Sequence, residues 1–139
     1  GNVSRKRTYA VSAVVMLALD LLWLGVIAPP LYQRTIGALL RLRPDLVAAA
    51  LFYAVYLVGV NEFVIRAFPR GARLAAVAAR GALFGFVAYA TFDLTAQAVL
   101  ADWSWLTTVA DMAWGTLLTA TVAAATHAVA GGRPPGRNG

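Results

Sequence analysis

The sequence contains no cysteine and only one histidine, His127. Without cysteine, the chain has no disulfide, no thiolate metal ligand and no cysteine nucleophile. A single histidine cannot form a multi-histidine metal or haem site within one chain. The composition therefore predicts neither a metal nor another cofactor.

Charged residues are also scarce, at 13% of 139 residues, whereas 60% of the residues are hydrophobic and the mean hydropathy is +0.70. A soluble domain carries about a quarter charged residues, so a surface of this composition could not be kept in water. The sequence therefore predicts an integral membrane protein that has no separate water-soluble catalytic domain.

Four apolar runs are each long enough to cross a hydrocarbon core of about 30 Å, which takes about 20 helical residues. They cover residues 9–28, 46–65, 75–100 and 107–130. We predict an all-α polytopic membrane protein whose four transmembrane helices form an antiparallel bundle over residues 9–130. Residues 1–8 are predicted to be a basic cytoplasmic N-terminus, and residues 131–139 a disordered tail.

Residues 31–42, between the first two runs, have apolar residues at helical spacing and polar residues on the other face. This pattern predicts a short amphipathic helix in the membrane interface, begun by Pro30 and ended by Pro44. A signal peptide is the alternative reading of the first run. It is disfavoured by the length of that run and by Asp20 and Trp23 inside it.

The net charge of +6 would suit a nucleic-acid-binding protein, but the basic residues flank the apolar runs instead of forming a patch. We therefore expect membrane lipids as partners and no nucleic acid. Nine basic residues lie on one side of the predicted topology and three on the other. This excess places both termini in the cytoplasm and the protein in the bacterial inner membrane. The nine are Arg5, Lys6, Arg7, Arg66, Arg70, Arg73, Arg80, Arg133 and Arg137, and the three are Arg34, Arg41 and Arg43.

Three aspartates lie inside the predicted spans, where an ionised carboxylate costs several kcal/mol unless it is paired, protonated or hydrated. At about 1.5 Å per residue, Asp20 and Asp93 lie roughly 12 Å below the outer ends of their spans, and Asp111 is shallower by roughly 6 Å. The sequence therefore predicts that Asp20, Asp93 and Asp111 meet in the outer half of the bundle, where they are candidate catalytic residues. The structural alternative is a hydrogen-bonded clamp that fixes helix register.

Small residues and aromatic residues accompany these aspartates. Gly81 and Gly85 precede Asp93 at four-residue spacing, and Gly115 follows Asp111, so these glycines are predicted to allow close helix packing. Trp23 and Trp114 each lie three residues after an aspartate, on the same helix face, and could donate an N–H group to it or cover it from lipid. The predicted ligand-binding residues are Trp23, Tyr32, Tyr89, Trp114 and Thr119.

Two other polar residues have simpler explanations. Glu62 lies one helical turn before Arg66, so an i,i+4 salt bridge accounts for it as well as a functional role does. His127 is close to the end of the last helix and is expected to be interfacial.

Four stretches together resemble a bacterial family of small predicted membrane proteins, domain-of-unknown-function family 2177. They are residues 81–95, Asp20 with Trp23 and Gly25, Leu31 with Tyr32, and Asp111 with Trp114, Gly115 and Thr116. The resemblance implies a four-helix membrane protein whose signature residues are the three aspartates, Trp23, Trp114, Gly81 and Gly85, but it implies no activity. Phe92 stands where the family is expected to have tyrosine, and Ala96 where it is expected to have asparagine. A polar contact near Asp93 is therefore expected to be missing.

The residues leave three functions open. The first is a pocket in the outer half of the membrane that binds a lipid-like or isoprenoid-like ligand, or modifies it with the help of a proton from an aspartate. The second is a small proton-coupled transporter of a cationic or amphipathic solute, which would need a homodimer to enclose a path. The third is a structural partner subunit with an interface at Gly81 and Gly85. Whether the protein is an enzyme stays open.

Overall fold

A computed structural model describes residues 2–41 and 43–131, with side chains from residue 5 onward, and every long element in these ranges is helical. Residue 1 and all of the predicted tail except Gly131 lie outside the described residues. The elements are α1 (Asn2–Leu22), a π-helical segment (Trp23–Ile27), α2 (Ala28–Ile36), a 3-10 turn (Gly37–Leu39), α3 (Leu46–Gly59), a second π-helical segment (Val60–Val64), a 3-10 turn (Ile65–Ala67), α4 (Leu74–Val99) and α5 (Trp105–Ala130). The all-α prediction is confirmed.

Three helical units in the described chain are long and apolar enough to cross a membrane, namely Arg5–Leu39, Leu46–Ala67 and Leu74–Val99. The fourth, α5, has the same 26-residue length as α4 but carries six threonines, Asp111 and His127. These polar groups are tolerated because α5 is the central helix. It packs against α1, α2 and α4, so many of its side chains face protein instead of lipid.

The first span differs from the prediction. Helix was expected to stop at Pro29–Pro30 and a separate helix to begin after them, yet the described helix runs without a break from Asn2 to Leu39. Proline is compatible with the first turn of a helix because the amide hydrogens there need no intrahelical partner, and the prolines occupy that position in α2. The placement of α2 in the membrane interface stays a prediction.

Local signals set the other helix ends. The Asp45 carboxylate accepts a hydrogen bond from the Ala48 amide at 3.0 Å and caps α3, and the Ser104 hydroxyl accepts one from the Leu106 amide at 3.1 Å and caps α5. Gly131, with φ of +71°, ends α5, because a residue without Cβ adopts this conformation without strain.

The four spans alternate in direction. Side-chain hydrogen bonds join α1 to α5 through Asp20 and Trp114, and α1 to α3 through Asp20 and Tyr53. The closest helix pair is α4 with α5, since Gly81 and Gly85 bring α4 onto the backbone of α5. These contacts occur within one chain, so they remove the basis for predicting a partner-subunit interface at the two glycines.

The bundle has three layers along its length. A polar layer lies at the end that contains Asp20, Asp93 and Asp111, which we call the site end. A second polar layer lies at the opposite, terminal end, where α1 begins and α5 ends. Between them is a tightly packed apolar layer. Its fully buried side chains include Met16, Val60, Leu118 and Val122, and the hydrophobic core continues beside the terminal polar layer with Val64, Ile65 and Val77.

Candidate functional site

Asp20 is buried in the site end, where two aromatic side chains donate hydrogen bonds to it. The Tyr53 hydroxyl donates to Oδ2 at 2.7 Å, and the Trp114 indole N–H donates to Oδ1 at 3.3 Å. The donors come from α3 and α5, so this carboxylate joins three spans. Two donors compensate part of the cost of taking a carboxylate out of water.

Asp111, on α5, lies next to the other two aspartates. It accepts a hydrogen bond from the Tyr32 hydroxyl at 2.7 Å, which ties α2 to α5. It lines the same cavity as Asp20, and the carboxyl group of Asp93 lies beside it. The structure thus brings the three predicted aspartates together, with Asp111 in the middle.

Asp93 is completely buried, and neither of its carboxyl oxygens has a hydrogen-bond donor among the described residues. Ala96, one turn further along α4, is also buried and offers no polar group. The missing contact matches the expectation from the family resemblance. A buried carboxyl group beside a second one requires a proton or a cation to compensate the charge.

The two tryptophans that follow Asp20 and Asp111 are stacked on each other. The rings of Trp23 and Trp114 are parallel within 7°, with centroids 4.6 Å apart, and the ring of Tyr32 meets Trp23 edge-on at 6.4 Å. Because each tryptophan shares a helix face with its aspartate, the stack holds the two carboxylates on one side of the bundle.

The structure places Tyr89 and Thr119 differently from each other. The Tyr89 ring covers Gly115, at which any Cβ would overlap the ring, and its hydroxyl forms no hydrogen bond within the described residues. Thr119 is fully buried, donates to the Gly115 carbonyl at 2.7 Å and accepts from the Tyr56 hydroxyl at 2.6 Å. Thr119 therefore contributes to helix packing, and its hydroxyl does not reach the cavity for which it was predicted.

A cavity of about 150 Å³, the carboxylate cavity, opens at the site end and is lined by residues of all five α-helices and of the first π-helical segment. Six of its nine lining residues are aromatic and two are aspartates. The lining residues are Asp20, Trp23, Leu24, Tyr32, Phe52, Tyr53, Tyr89, Asp111 and Trp114. Asp93 is not among them, because it lies behind Asp111.

An apolar groove continues from this cavity along the surface between α3 and α4. It comprises two adjoining depressions of about 370 Å³ and 790 Å³, which share Phe52, Tyr56 and Ala88. The first depression also contains Asp111 and Tyr89, two residues of the carboxylate cavity. This α3–α4 groove exists because the two helices pack together at the second π-helical segment, through which α3 reaches α4, and diverge toward the site end.

The charged side chains of the site are all acidic. No lysine, arginine or histidine lines the carboxylate cavity or the α3–α4 groove within the part of the chain that the structure describes. Arg34 and Arg41, the nearest basic residues in sequence at this end, are exposed, and Arg41 pairs with Asp45. Asp20 and Asp111 therefore have hydrogen-bond donors, and none of the three aspartates has a cationic partner among the described residues.

At the terminal end, Glu62 has a different environment. It forms the predicted salt bridge with Arg66, at 3.5 Å, and it also accepts a hydrogen bond from Tyr9 at 3.0 Å and lies 3.8 Å from Arg5. His127 is buried and bonds the Ala72 carbonyl at 3.1 Å, which fastens the end of α5 to the turn before α4. Both residues have structural partners in this layer.

A family model described as predicted membrane protein, DUF2177, matches residues 6–128. The chain belongs to this family. The match confirms the resemblance found in the sequence and shows a membrane protein of the DUF2177 family. Comparison with curated proteins and with solved structures gave no match.

Several residues of the DUF2177 site were not predicted, above all Tyr53, Phe52 and Phe92. Tyr53 lies seven residues after the start of α3, which places it roughly 10 Å below that end of the helix. Asp20 was placed at roughly 12 Å by the same arithmetic. Comparing depths for aromatic residues as well as for aspartates would therefore have indicated the Tyr53–Asp20 contact.

Proposed function

We propose that this protein binds a single lipid-like amphiphile, with the polar end in the carboxylate cavity and the apolar chain in the α3–α4 groove. The observation that carries the proposal is continuity: Phe52, Tyr89 and Asp111 belong to both the cavity and the groove. A ligand lying there contacts polar groups at one end and only apolar surface along the rest of its length.

The dimensions suit such a ligand. Along α3 the groove extends from Ala48 to at least Gly59, eleven residues or about 16 Å of helix, which is about half the thickness of a hydrocarbon core. Its wall is formed by aliphatic and aromatic side chains with almost no polar surface. A membrane lipid can enter sideways, because the groove is open along its length and the surrounding solvent is hydrocarbon.

The transporter alternative receives less support. A path across the bundle would have to connect the site end with Glu62, yet the apolar layer fills the space between them. Met16, Leu118 and Val122 in that layer are each 1% exposed or less. The polar layer at the terminal end supports transport only if these side chains move apart and open a path. The transporter alternative also still needs a homodimer to enclose that path.

Blocking the groove tests the proposal. Ala88 lines both depressions, so Ala88→Phe fills the groove with an aromatic ring, and we expect at least tenfold less copurifying amphiphile per protein. Ala82, on the same helix, lines a separate apolar groove between α4 and α5, so Ala82→Phe is the matched control and should retain the ligand. The measurement is mass spectrometry of lipids extracted from protein purified in maltoside micelles.

The melting temperature of each variant is recorded alongside, so that loss of ligand is separated from loss of fold. Should Ala88→Phe unfold, Ala88→Leu fills part of the same space with a smaller side chain. Equal ligand content in wild type and in a folded Ala88 variant would contradict the proposed function.

A further inference from the structure

The site end brings three carboxyl groups near one another, and no residue that the structure describes supplies a cation to them. Asp20 has two hydrogen-bond donors, Asp111 has one, and Asp93 has none among the described residues, although it is fully buried. Carboxylates buried in protein are normally paired with a cation or a metal. Among the described residues this site has no such cationic partner, so its charge is left for a proton or a bound cation to compensate.

Aromatic rings surround the same space. Trp23, Tyr32, Phe52, Tyr53, Tyr89 and Trp114 line the carboxylate cavity together with Asp20 and Asp111. The faces of aromatic rings attract cations, and aromatic cages of this kind suit quaternary ammonium groups, which have no N–H group to donate. Carboxylates and ring faces therefore favour the same sign of charge.

The size of the cavity limits the head group. Its volume of about 150 Å³ corresponds to roughly five water molecules at about 30 Å³ each. A trimethylammonium group together with the chain carbon that bears it has four carbon atoms and one nitrogen, a similar number of heavy atoms. A sugar or a phosphodiester with its substituents is larger, and a phosphate would in addition be repelled by the aspartates.

We propose that the ligand of this site is a cationic amphiphile, an apolar chain that carries an ammonium or quaternary ammonium group, and that Asp20 and Asp111 bind this group within the aromatic cavity. The inference rests on the proposed function, to which it adds the chemical class of the head group. The ligand supplies the positive charge that the described residues do not provide in this cavity.

Four probes with the same tetradecyl chain test the head group directly on the wild-type protein in maltoside micelles. They carry trimethylammonium, primary ammonium, hydroxyl or phosphate heads, and binding is followed by tryptophan fluorescence, because Trp23 and Trp114 line the cavity. We expect the two cationic probes to bind at least tenfold more tightly than the alcohol, and the phosphate to bind most weakly.

Variants with matched controls test which residues bind the head group. Asp111→Asn and Asp20→Asn should each lower the preference for the cationic probes over the alcohol at least tenfold. Asp102→Asn, the same change in an exposed loop at this end of the bundle, should leave it unchanged. Trp114→Phe should weaken binding of the trimethylammonium probe, whereas Trp105→Phe, at an exposed ring outside the cavity, should not.

The outcomes separate the two proposals. If all four probes bind equally, or if the alcohol or the phosphate binds most tightly, the cationic head group is wrong while the amphiphile-binding function stands. If none of the probes binds and no amphiphile copurifies, both proposals are wrong. The comparison of probes on wild-type protein requires no substitution, so it stands even if an aspartate variant fails to fold.

Discussion

Gly115→Ala is expected to lower the free energy of unfolding by about 2–3 kcal/mol, the upper part of the range for an overpacked core. A Cβ atom at Gly115 would occupy the position of the Tyr89 ring. The overlap begins at Cγ, close to the backbone of α4, so the ring cannot avoid it by moving only its far end. Either Tyr89 leaves its place over Gly115 or α4 and α5 separate.

The matched control is Gly25→Ala, the same substitution in the π-helical segment of the first span. No atom outside the local helix lies within 4 Å of a Cβ atom placed there. Alanine loses less conformational freedom than glycine on folding, so this variant should be unchanged or more stable by about 0.5–1 kcal/mol. Unfolding is measured by titration from maltoside into denaturing detergent, with tryptophan fluorescence as the signal.

Gly85→Ala provides a second measurement at the same helix contact. A Cβ atom there would overlap the Gly115 carbonyl and lie 2.6 Å from the Thr119 hydroxyl. Because the obstacle includes backbone, α4 and α5 must move apart. If Gly85→Ala and Gly115→Ala are both as stable as Gly25→Ala, the helix packing described for these glycines is wrong.

The second large effect is expected at the tyrosines that donate to the buried carboxylates. Tyr53→Phe removes a 2.7 Å hydrogen bond to Asp20, and Tyr32→Phe removes one of the same length to Asp111. A hydrogen bond to a charged group contributes about 1.5–3 kcal/mol, so each variant should lose stability in this range. The remaining ring still fills its space, which confines the change to the hydroxyl group.

Tyr89→Phe is the control for these two variants. Its hydroxyl forms no hydrogen bond within the described residues, so removing the hydroxyl should change stability by less than about 0.5 kcal/mol. The same denaturing-detergent titration compares the three variants. Equal losses for Tyr89→Phe and Tyr53→Phe would show that the hydrogen bond to Asp20 contributes nothing beyond an average hydroxyl group.

The helical architecture could be predicted because the bilayer leaves few choices. A span needs about 20 apolar residues and must satisfy its own backbone hydrogen bonds, so hydropathy alone indicates helices and their approximate ends. The predicted third span, residues 75–100, differs by one residue at each end from α4 (Leu74–Val99). The second and fourth spans differ by at most two residues at either end.

The continuous first helix could not be predicted in this way. A pair such as Pro29–Pro30 ends a helix when its rings clash with the carbonyl groups of the preceding turn. It can begin a helix when that preceding turn is wider than in a regular α-helix. In the structure the π-helical segment Trp23–Ile27 provides that wider turn. Such a segment inserts an extra residue per turn at a cost that only tertiary contacts offset, here including the Trp23–Trp114 stack.

The candidate site could be predicted only in part. Depth along each helix placed Asp20 and Asp93 at the same level and Asp111 roughly 6 Å nearer the outer end. In the structure the three aspartates are neighbours. Depth says nothing about which helix faces which neighbour, however. The donors Tyr53 and Tyr32, the packing role of Thr119 and the position of Asp93 behind Asp111 depend on helix rotation and on which pairs diverge.

By itself, the sequence determined a membrane-embedded bundle of helices whose three intramembrane aspartates lie in one half of the bundle. It could do so because the free energy of transferring a side chain from water to hydrocarbon depends on residue type and on position along the helix. Only the tertiary structure decided that α5 is central, that α3 and α4 diverge to form a groove, and that none of the described basic residues meets the carboxylates. These features arise from the packing of shapes between helices distant in sequence, and hydropathy contains no information about them.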